Sequence, residues 1–460
     1  VTRIAKAPTI DFTAVRKELR LPGDFPAPAA AEAAQPPAGL PREDLTAVPF
    51  VTIDPATSRD LDQAMHLSKR GTGYRVRYAI ADVAAFVTPG GALDTETWAR
   101  GLTVYLPGEK IPLHPPVLSE GQASLLPDET RPAVVWTIDV DADGATNAVT
   151  VGRALIRSRA KLDYAISVAK LPEPIALLPA LGRILVARGL ARGAVNLPIP
   201  EQEAERDGDG WRLALRRQTP MEEYNAQISL LTGAAAGTMM LDGGVGLLRT
   251  MPPPAPEAVQ RLHTCAQALG VPWPDGATIG EVVASTPPDD PRGAAFLDAA
   301  AELMRGAGYT AFDGTPPEQP LHSAMGLPYA HVTAPIRRLA DRYATEVCLA
   351  LHAGQEIPAW AREALPRLPE VMRDTDRRAS AAERAAIDLV EAVLLAGRVG
   401  EKFEAAVLDL DGRGRDGGLI AVDELGVIAR CEGRLPLGER ITVVLAEADP
   451  ATRKVLFKAA

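Results

Sequence analysis

The chain has 460 residues, 47% of them hydrophobic and 23% charged, the balance of a globular protein able to bury a sizeable core in one large domain plus one or two small ones. A formal net charge of −10 argues against coating nucleic acid through bulk electrostatics, but not against a strand held in a local basic channel. No run of eighteen apolar residues predicts a membrane span, and the widely separated Cys265, Cys348 and Cys431 exclude a disulfide framework and a cysteine zinc site.

Residues 10–20, "IDFTAVRKELR", predict a short helix capped by Asp11 or Thr13. The next stretch, "LPGDFPAPAAAEAAQPPAGLP", is rich in Pro and Ala without periodicity and reads as a linker, so residues 1–41 form a helical segment and linker. The opening "VTRIAKAPTIDF" carries no apolar signal-peptide core, and with the unpaired cysteines this predicts a reduced, cytoplasmic setting. From Arg42 the sequence turns strand-rich. "YRVRYAIADV" alternates Val76, Tyr78 and Ile80 on one face after a "KRGTG" turn, and "RPAVVWTIDVDADG" with "VTVGRALIRSR" reads as a second hairpin. Helical spacing follows in "MEEYNAQISLLTGAAAGTMML", then over roughly 255–270, 293–307, 335–353 and 371–398. Strands first and helices later make residues 42–398 an α+β domain. Residues 399–460 break into short strands between Gly and Asp-Pro turns, predicting a small all-β barrel of the OB type.

Chemistry concentrates in "TIDPATSRDLDQAMHL", where Asp54, Asp60 and Asp62 fall within nine residues. If "DLDQAMHL" is extended, Asp60, Asp62, Ala64 and His66 share one face and Gln63 the other. Converging carboxylates repel unless a cation lies between them, and hard oxygen donors suit magnesium or manganese. A solvated acidic loop is the competing reading. A second motif, "YAHVTAPIRRLADRY", predicts a helix with Thr333 as cap and Pro335 near its first position. Ile336, Leu339, Ala340 and Tyr343 form its buried stripe. Arg337 and Arg338 then sit in the first turn, where the dipole disfavours cations unless an anion docks there. The alternative is an ordinary Arg337–Asp341 surface pair. Acids and arginines together describe a metal-dependent phosphodiesterase.

These stretches closely resemble the RNase II/RNase R (RNB) family of exoribonucleases. The likeness runs from Arg42 to about Gly397 through "REDL", "PFVTID", "SRDLDQA", "YAIADVAAFV", "TVYLPGEKIPLHPPVLSEGQASLLPDETRP", "HSAMGLPYAHVTAPIRRLADR" and "AAERAA". The C-terminal barrel is similar to the ribosomal-S-one-type OB domain of that family, whereas its tandem N-terminal cold-shock domains have no counterpart. The resemblance implies an RNB catalytic domain, a mixed sheet packed with helices, that degrades single-stranded RNA hydrolytically from 3′ to 5′. It implies nucleoside 5′-monophosphate products, processive action, magnesium as cofactor with manganese as a substitute, and a monomer that threads the RNA 3′ end into a channel away from any membrane.

By the same likeness Asp62 and Arg337 are catalytic, and Asp54, Asp60, Asp62 and Gln63 form the metal set. Gln63 stands where the best-known members have a fourth aspartate. Its amide offers an oxygen without charge, acts through a water, or points away as strict alternation requires. Tyr105 matches an aromatic that stacks near the terminal nucleotides, and Glu383 an acid near the 3′-end pocket. His331, Arg338, Lys402 and Phe403 complete the RNA-facing set, with Arg413, Arg415, Arg430 and Arg434 as further phosphate contacts in the barrel. Asp82 reads as a cap for "VAAFV". A binding protein of the same fold that has lost turnover through Gln63 is the alternative.

Overall fold

The computed structural model describes residues 10–40, 42–207, 210–411 and 416–460. Arg413 and Arg415 lie outside them.

The alternating apolar pattern builds a six-stranded sheet. Its strands come from β1 (Glu43–Asp44), β2 (Phe50–Ile53), β3 (Gln63–Arg70) and β4 (Gly73–Ala81), and, beyond a small hairpin of β5 (Val104–Leu106) and β6 (Glu109–Ile111), from β7 (Thr130–Val140) and β8 (Thr146–Leu162). The order is β1-β8-β2-β3-β4-β7. β8 pairs antiparallel with β7 along its first part and parallel with β2 at its end, so the sheet closes on itself through β8. Val76, Tyr78 and Ile80 are buried together with Trp136 and Ile138 of β7, as their alternation predicts. Both expected hairpins form, β3–β4 and β7–β8.

The helices Leu178–Ala191, Pro220–Gly243 and Leu339–Ala353 pack into the same core. The stretch Glu173–Ala191 is long and apolar enough to cross a membrane by length and composition. Its Ile175, Leu178, Leu181 and Leu185 are instead buried in the main core. Gly233 and Gly237 of the helix Pro220–Gly243 let the segment 328–330 lie directly on the helix backbone. A Cβ at Gly233 would meet the Tyr329 ring at 2.2 Å, and one at Gly237 would meet the Tyr329 nitrogen at 2.8 Å.

Two expectations need correction. The linker contains a helix, Ala27–Ala33, whose Ala29 and Ala33 are fully buried. Glu32 from this helix accepts the Thr88 and Leu93 N–H groups at 3.2 and 2.9 Å, tying the linker to the helix Ala92–Arg100. Its buried face is made of alanines, so no large apolar residue marks the period. The helix expected from Pro335 begins only at Leu339, and Thr333 does not cap it. Residues 333–338 run as an irregular loop because other groups take their backbone hydrogen bonds, as described below.

The C-terminal strands Lys402–Leu410, Gly417–Val422, Val427–Glu432, Arg440–Asp449 and Lys454–Ala459 close a five-stranded barrel, as expected. Its core is not separate. Ala382, Ala386, Val390 and Leu395 of the long helix Leu368–Leu395 join it, as do Phe12, Val104 and Leu106. The short helix Thr13–Glu18, with Asp11 accepting the Thr13 N–H at 2.8 Å, is fastened there by a 2.7 Å Glu18–Arg453 ion pair.

Candidate active site

The acids lie on an irregular loop between β2 and β3. Asp54 directly follows β2, and its N–H donates to the Leu162 carbonyl of β8 at 3.0 Å. β3 starts only at Gln63, so the regular alternation expected through Asp60 and Asp62 does not hold. Three groups fix the loop instead. Lys161 Nζ donates to the Ala56 and Ser58 carbonyls at 2.7 and 2.6 Å. Ser124 donates to the Arg59 carbonyl at 2.6 Å and accepts the Leu61 N–H at 3.0 Å. Leu61 is fully buried and acts as the apolar pin.

The loop 333–338 is tied to this acid loop and to its own helix. Asp62 Oδ1 accepts the Ile336 N–H at 2.8 Å, and Asp341 Oδ2 accepts the Ala334 N–H at 2.7 Å. His114 Nδ1 lies 2.8 Å from the Ile336 carbonyl, and the Thr103 N–H donates to the Arg337 carbonyl at 3.0 Å. Gln63 Nε2 donates to the Thr333 carbonyl at 2.5 Å. The two arginines therefore part company. Arg338 is committed to buried Asp341 through a two-pronged pair at 2.5 and 2.8 Å. Arg337 leans toward Asp62, Nε to Oδ2 3.8 Å, and keeps 52% of its side chain exposed. The expected alternative, an Arg337–Asp341 pair, is taken by Arg338.

The electrostatics follow from burial. Asp62 is 4% exposed, and its pKa is pushed up to about 8 by that burial; Arg337 and the Ile336 N–H oppose the rise, while Asp341 and Asp60 add to it. Burial also raises Asp54, against the Ser58 hydrogen bond and Arg337, with Asp60 adding to the rise. The three aspartates thus share one field. Tyr105 is not a core aromatic: it is 43% exposed on β5, and burial of its hydroxyl, then Asp60, Asp62 and Asp54, hold that hydroxyl well above its usual range.

Other expected residues divide. His331 packs edge-on between Tyr309 and Tyr329, with its Nδ1 2.6 Å from the Tyr309 hydroxyl, and burial followed by Arg338 drives its pKa well down. It is a neutral member of an aromatic wall behind Arg338. Glu383 is exposed on the helix Leu368–Leu395; burial of its carboxylate, then neighbouring Glu201, raises its pKa, and none of the groups acting on it belongs to the acid loop. Lys402 is exposed at the start of the barrel. Phe403, expected to face RNA, is 3% exposed and packs on Phe457 at 6.0 Å: the strand turns Lys402 out and Phe403 in. Arg430 pairs with Asp411. Asp82 makes no cap; it is buried and pairs with Arg153 at 3.1 Å and Arg42 at 3.6 Å.

Sequence reading missed Lys110, His114 and Tyr164. Lys110 donates to Asp60 and pairs with Glu120, both at 2.8 Å. Tyr164 accepts from Asn225 at 3.0 Å, and burial, then Asp54, push its pKa to about 12. Lys110 and His114 sit inside "GEKIPLHPP", so the motif held the signal, but Asp60 and Ile336, which they meet, lie 50 and 222 residues away.

Among the described residues no three His, Cys, Asp or Glu side chains draw close enough together to hold a metal. In kind, the donors still fit a hard divalent cation. Asp54, Asp60 and Asp62 are carboxylates within one field, and the nearest cation to buried Asp62 is Arg337 at 3.8 Å. Gln63 turns its amide nitrogen to Thr333.

The RNB domain family matches residues 42–351, and the RNase II-type exonuclease C-terminal S1 domain matches residues 401–460. Exoribonuclease 2 of Proteus mirabilis is 46% identical over 127 residues, 27% of this chain and 20% of that protein. Ribonuclease R of Escherichia coli is 28% identical over 414 residues, 81% of this chain and 49% of that protein. The chain therefore spans at most about half the length of these relatives. The apo form of Mycoplasma genitalium RNase R superposes with a TM-score of 0.86 at 21% identity, covering 98% of this chain and 77% of that one, a likeness of fold. Because the RNB match takes in more than half of the sequence, the chain belongs to the RNB family of RNase II and RNase R.

Proposed function

We propose that this protein is a processive, hydrolytic exoribonuclease that shortens single-stranded RNA from its 3′ end and releases nucleoside 5′-monophosphates. The observation that carries the reading is the pairing of buried Asp62 with half-exposed Arg337 on two mutually tied loops. Divalent-metal dependence is general in the family, and magnesium, with manganese as substitute, is the proposed ion, held by Asp54, Asp60 and Asp62. When bound, such an ion would supply Lewis-acid charge and make the attacking water easier to deprotonate.

The chain's own groups do the rest. Arg337 offers its exposed guanidinium to the non-bridging oxygens of the scissile phosphate, where negative charge grows in the transition state. Asp62, held in place by the Ile336 N–H, takes a proton from the attacking water. Tyr105 presents its ring beside the acids, where a terminal base can stack. Lys110 releases Asp60 when another cation takes its place. The protein acts as a cytoplasmic monomer away from membranes.

The test is a 5′-labelled twenty-nucleotide single strand incubated with magnesium. Conversion of full-length strand to a short 5′-labelled end product with few intermediates, together with mononucleotides detected by chromatography, supports the reading. Binding without product in either magnesium or manganese would overturn it in favour of the RNA-binding alternative, to which the Lys110–Asp60 pair would then belong.

A further inference from the structure

We propose that Gln63 is a positioning residue for the arginine loop, and that its amide is a device of its own rather than a weakened aspartate in the metal set. A backbone carbonyl only accepts, so the 2.5 Å contact with the Thr333 oxygen fixes which end of the amide faces the loop: Nε2 donates, and Oε1 points elsewhere. A carboxylate here has no donor and would set two oxygens against each other.

The consequence lies in where the tie falls. Asp62 and Gln63 are consecutive, and they hold the loop at Ile336 and Thr333 respectively. Beyond these, Ala334 is held by Asp341 from the following helix, Ile336 by His114 and Arg337 by Thr103. Among the described residues, Gln63 is the donor that secures the Thr333 carbonyl, and it does so from the strand that continues the acid loop. Thr333 is 5% exposed, so water cannot easily replace a lost donor. Freed at that end, the loop can shift the guanidinium of Arg337 relative to Asp62. Misplacing a reacting group by about 1 Å costs on the order of 100-fold in rate.

The inference rests on the exoribonuclease reading for its kinetic arm only. The full-length chain is compared with Gln63→Met, which keeps length without a donor, and Gln63→Glu, which adds charge without a donor. Three quantities are read: kcat and KM on the labelled strand, Mn2+ affinity by electron paramagnetic resonance, and amide exchange across residues 333–338. For Gln63→Met we expect kcat to fall by roughly 10-fold or more with KM within about 3-fold, unchanged Mn2+ affinity and faster exchange in the loop. Gln63→Glu should be at least as impaired. A Gln63→Met protein with wild-type kcat and loop exchange overturns the proposal. So does one that loses Mn2+ affinity about tenfold while its loop stays protected, since that is how a metal ligand behaves. A Gln63→Glu protein faster than wild type overturns it as well. If the wild-type chain degrades no RNA, the function fails separately, and the exchange arm still judges the tie.

Discussion

Asp62 and Glu391 are both buried carboxylates whose pKa is pushed up to about 8, chiefly by burial, yet they belong to different kinds of region. Asp62 lies between two irregular loops, facing a half-exposed arginine and sharing its field with Asp60 and Asp341. Glu391 lies where the helix Leu368–Leu395 meets the hairpin Glu201–Asp207/Gly210–Arg216. Its carboxylate accepts from the neutral amide of Gln202, which also donates to the Gly426 carbonyl of the barrel. The same perturbation thus falls at the candidate active site in one place and at a packing seam in the other. A shifted pKa points to chemistry only when other acids and a solvent-facing cation share the site.

The comparison breaks first at Asp62. Asp62→Asn should abolish turnover while leaving RNA affinity within a few-fold, because the remaining amide oxygen still accepts the Ile336 N–H and the loop keeps its place. Single-turnover cleavage and filter binding measure the two effects. Normal cleavage would make Asp62 another Glu391.

Arg337→Ala comes next, with an expected loss of about 3 kcal/mol in transition-state stabilisation, typical of one preorganised donor. Arg337→Lys should recover little of it, since a point charge does not reproduce the guanidinium fork. Full activity of the lysine variant in steady-state assays would reduce Arg337 to a general electrostatic role.

Much of this contrast was legible in the sequence and some was not. The strands with residues alternating between a buried and an outer face and the barrel leave local patterns and appear where those patterns put them; the acid and arginine motifs are local patterns too, but the acids lie on an irregular loop and the two arginines precede the helix expected to carry them. The start of the helix at Leu339 was hidden because the loop before it is held from outside: Gln63, 270 residues away in sequence, takes the Thr333 carbonyl that a helix starting at Pro335 would have used, and Asp62 takes the Ile336 N–H. Lys110 was hidden for the same reason, its acids being brought together by folding. The exposure of Tyr105 and the burial of Phe403 show the limit of residue type alone. Both are aromatics in strands, and only the packing around them separates an exposed ring from a core side chain.

Glu391 gives the pH side of the comparison. Its folded pKa is raised above the ordinary 4.5, so its contribution to stability is fully present below that value and is lost as pH rises through about 8. Glu391→Gln cannot ionise and should flatten this dependence. Thermal melts between pH 6 and 9 should show the wild type losing stability relative to the variant by a few degrees. Parallel curves would mean that the seam admits water or a counter-charge when Glu391 ionises.

The smallest effect is expected on the barrel surface, where charges pair locally: Arg430 with Asp411, Arg440 with Asp423 at 2.9 Å, and Lys458 with Glu432 at 3.5 Å. With Phe403 buried, the proposed function has the barrel meet RNA through phosphates rather than by stacking on that ring. Lys402 is turned outward beside it. Each phosphate neutralised on a single strand adds about 0.7 to the slope of log affinity against log salt. Lys402→Ala should therefore lower that slope by about 0.7 and weaken binding only a few-fold, equally for all sequences. Phe403→Leu, a core substitution of similar character, should leave the slope alone while lowering thermal stability. An unchanged slope in Lys402→Ala would remove this lysine from the RNA path. A changed slope in Phe403→Leu would mean that the barrel's packing sets the placement of its charges, as the two tied loops do at the centre.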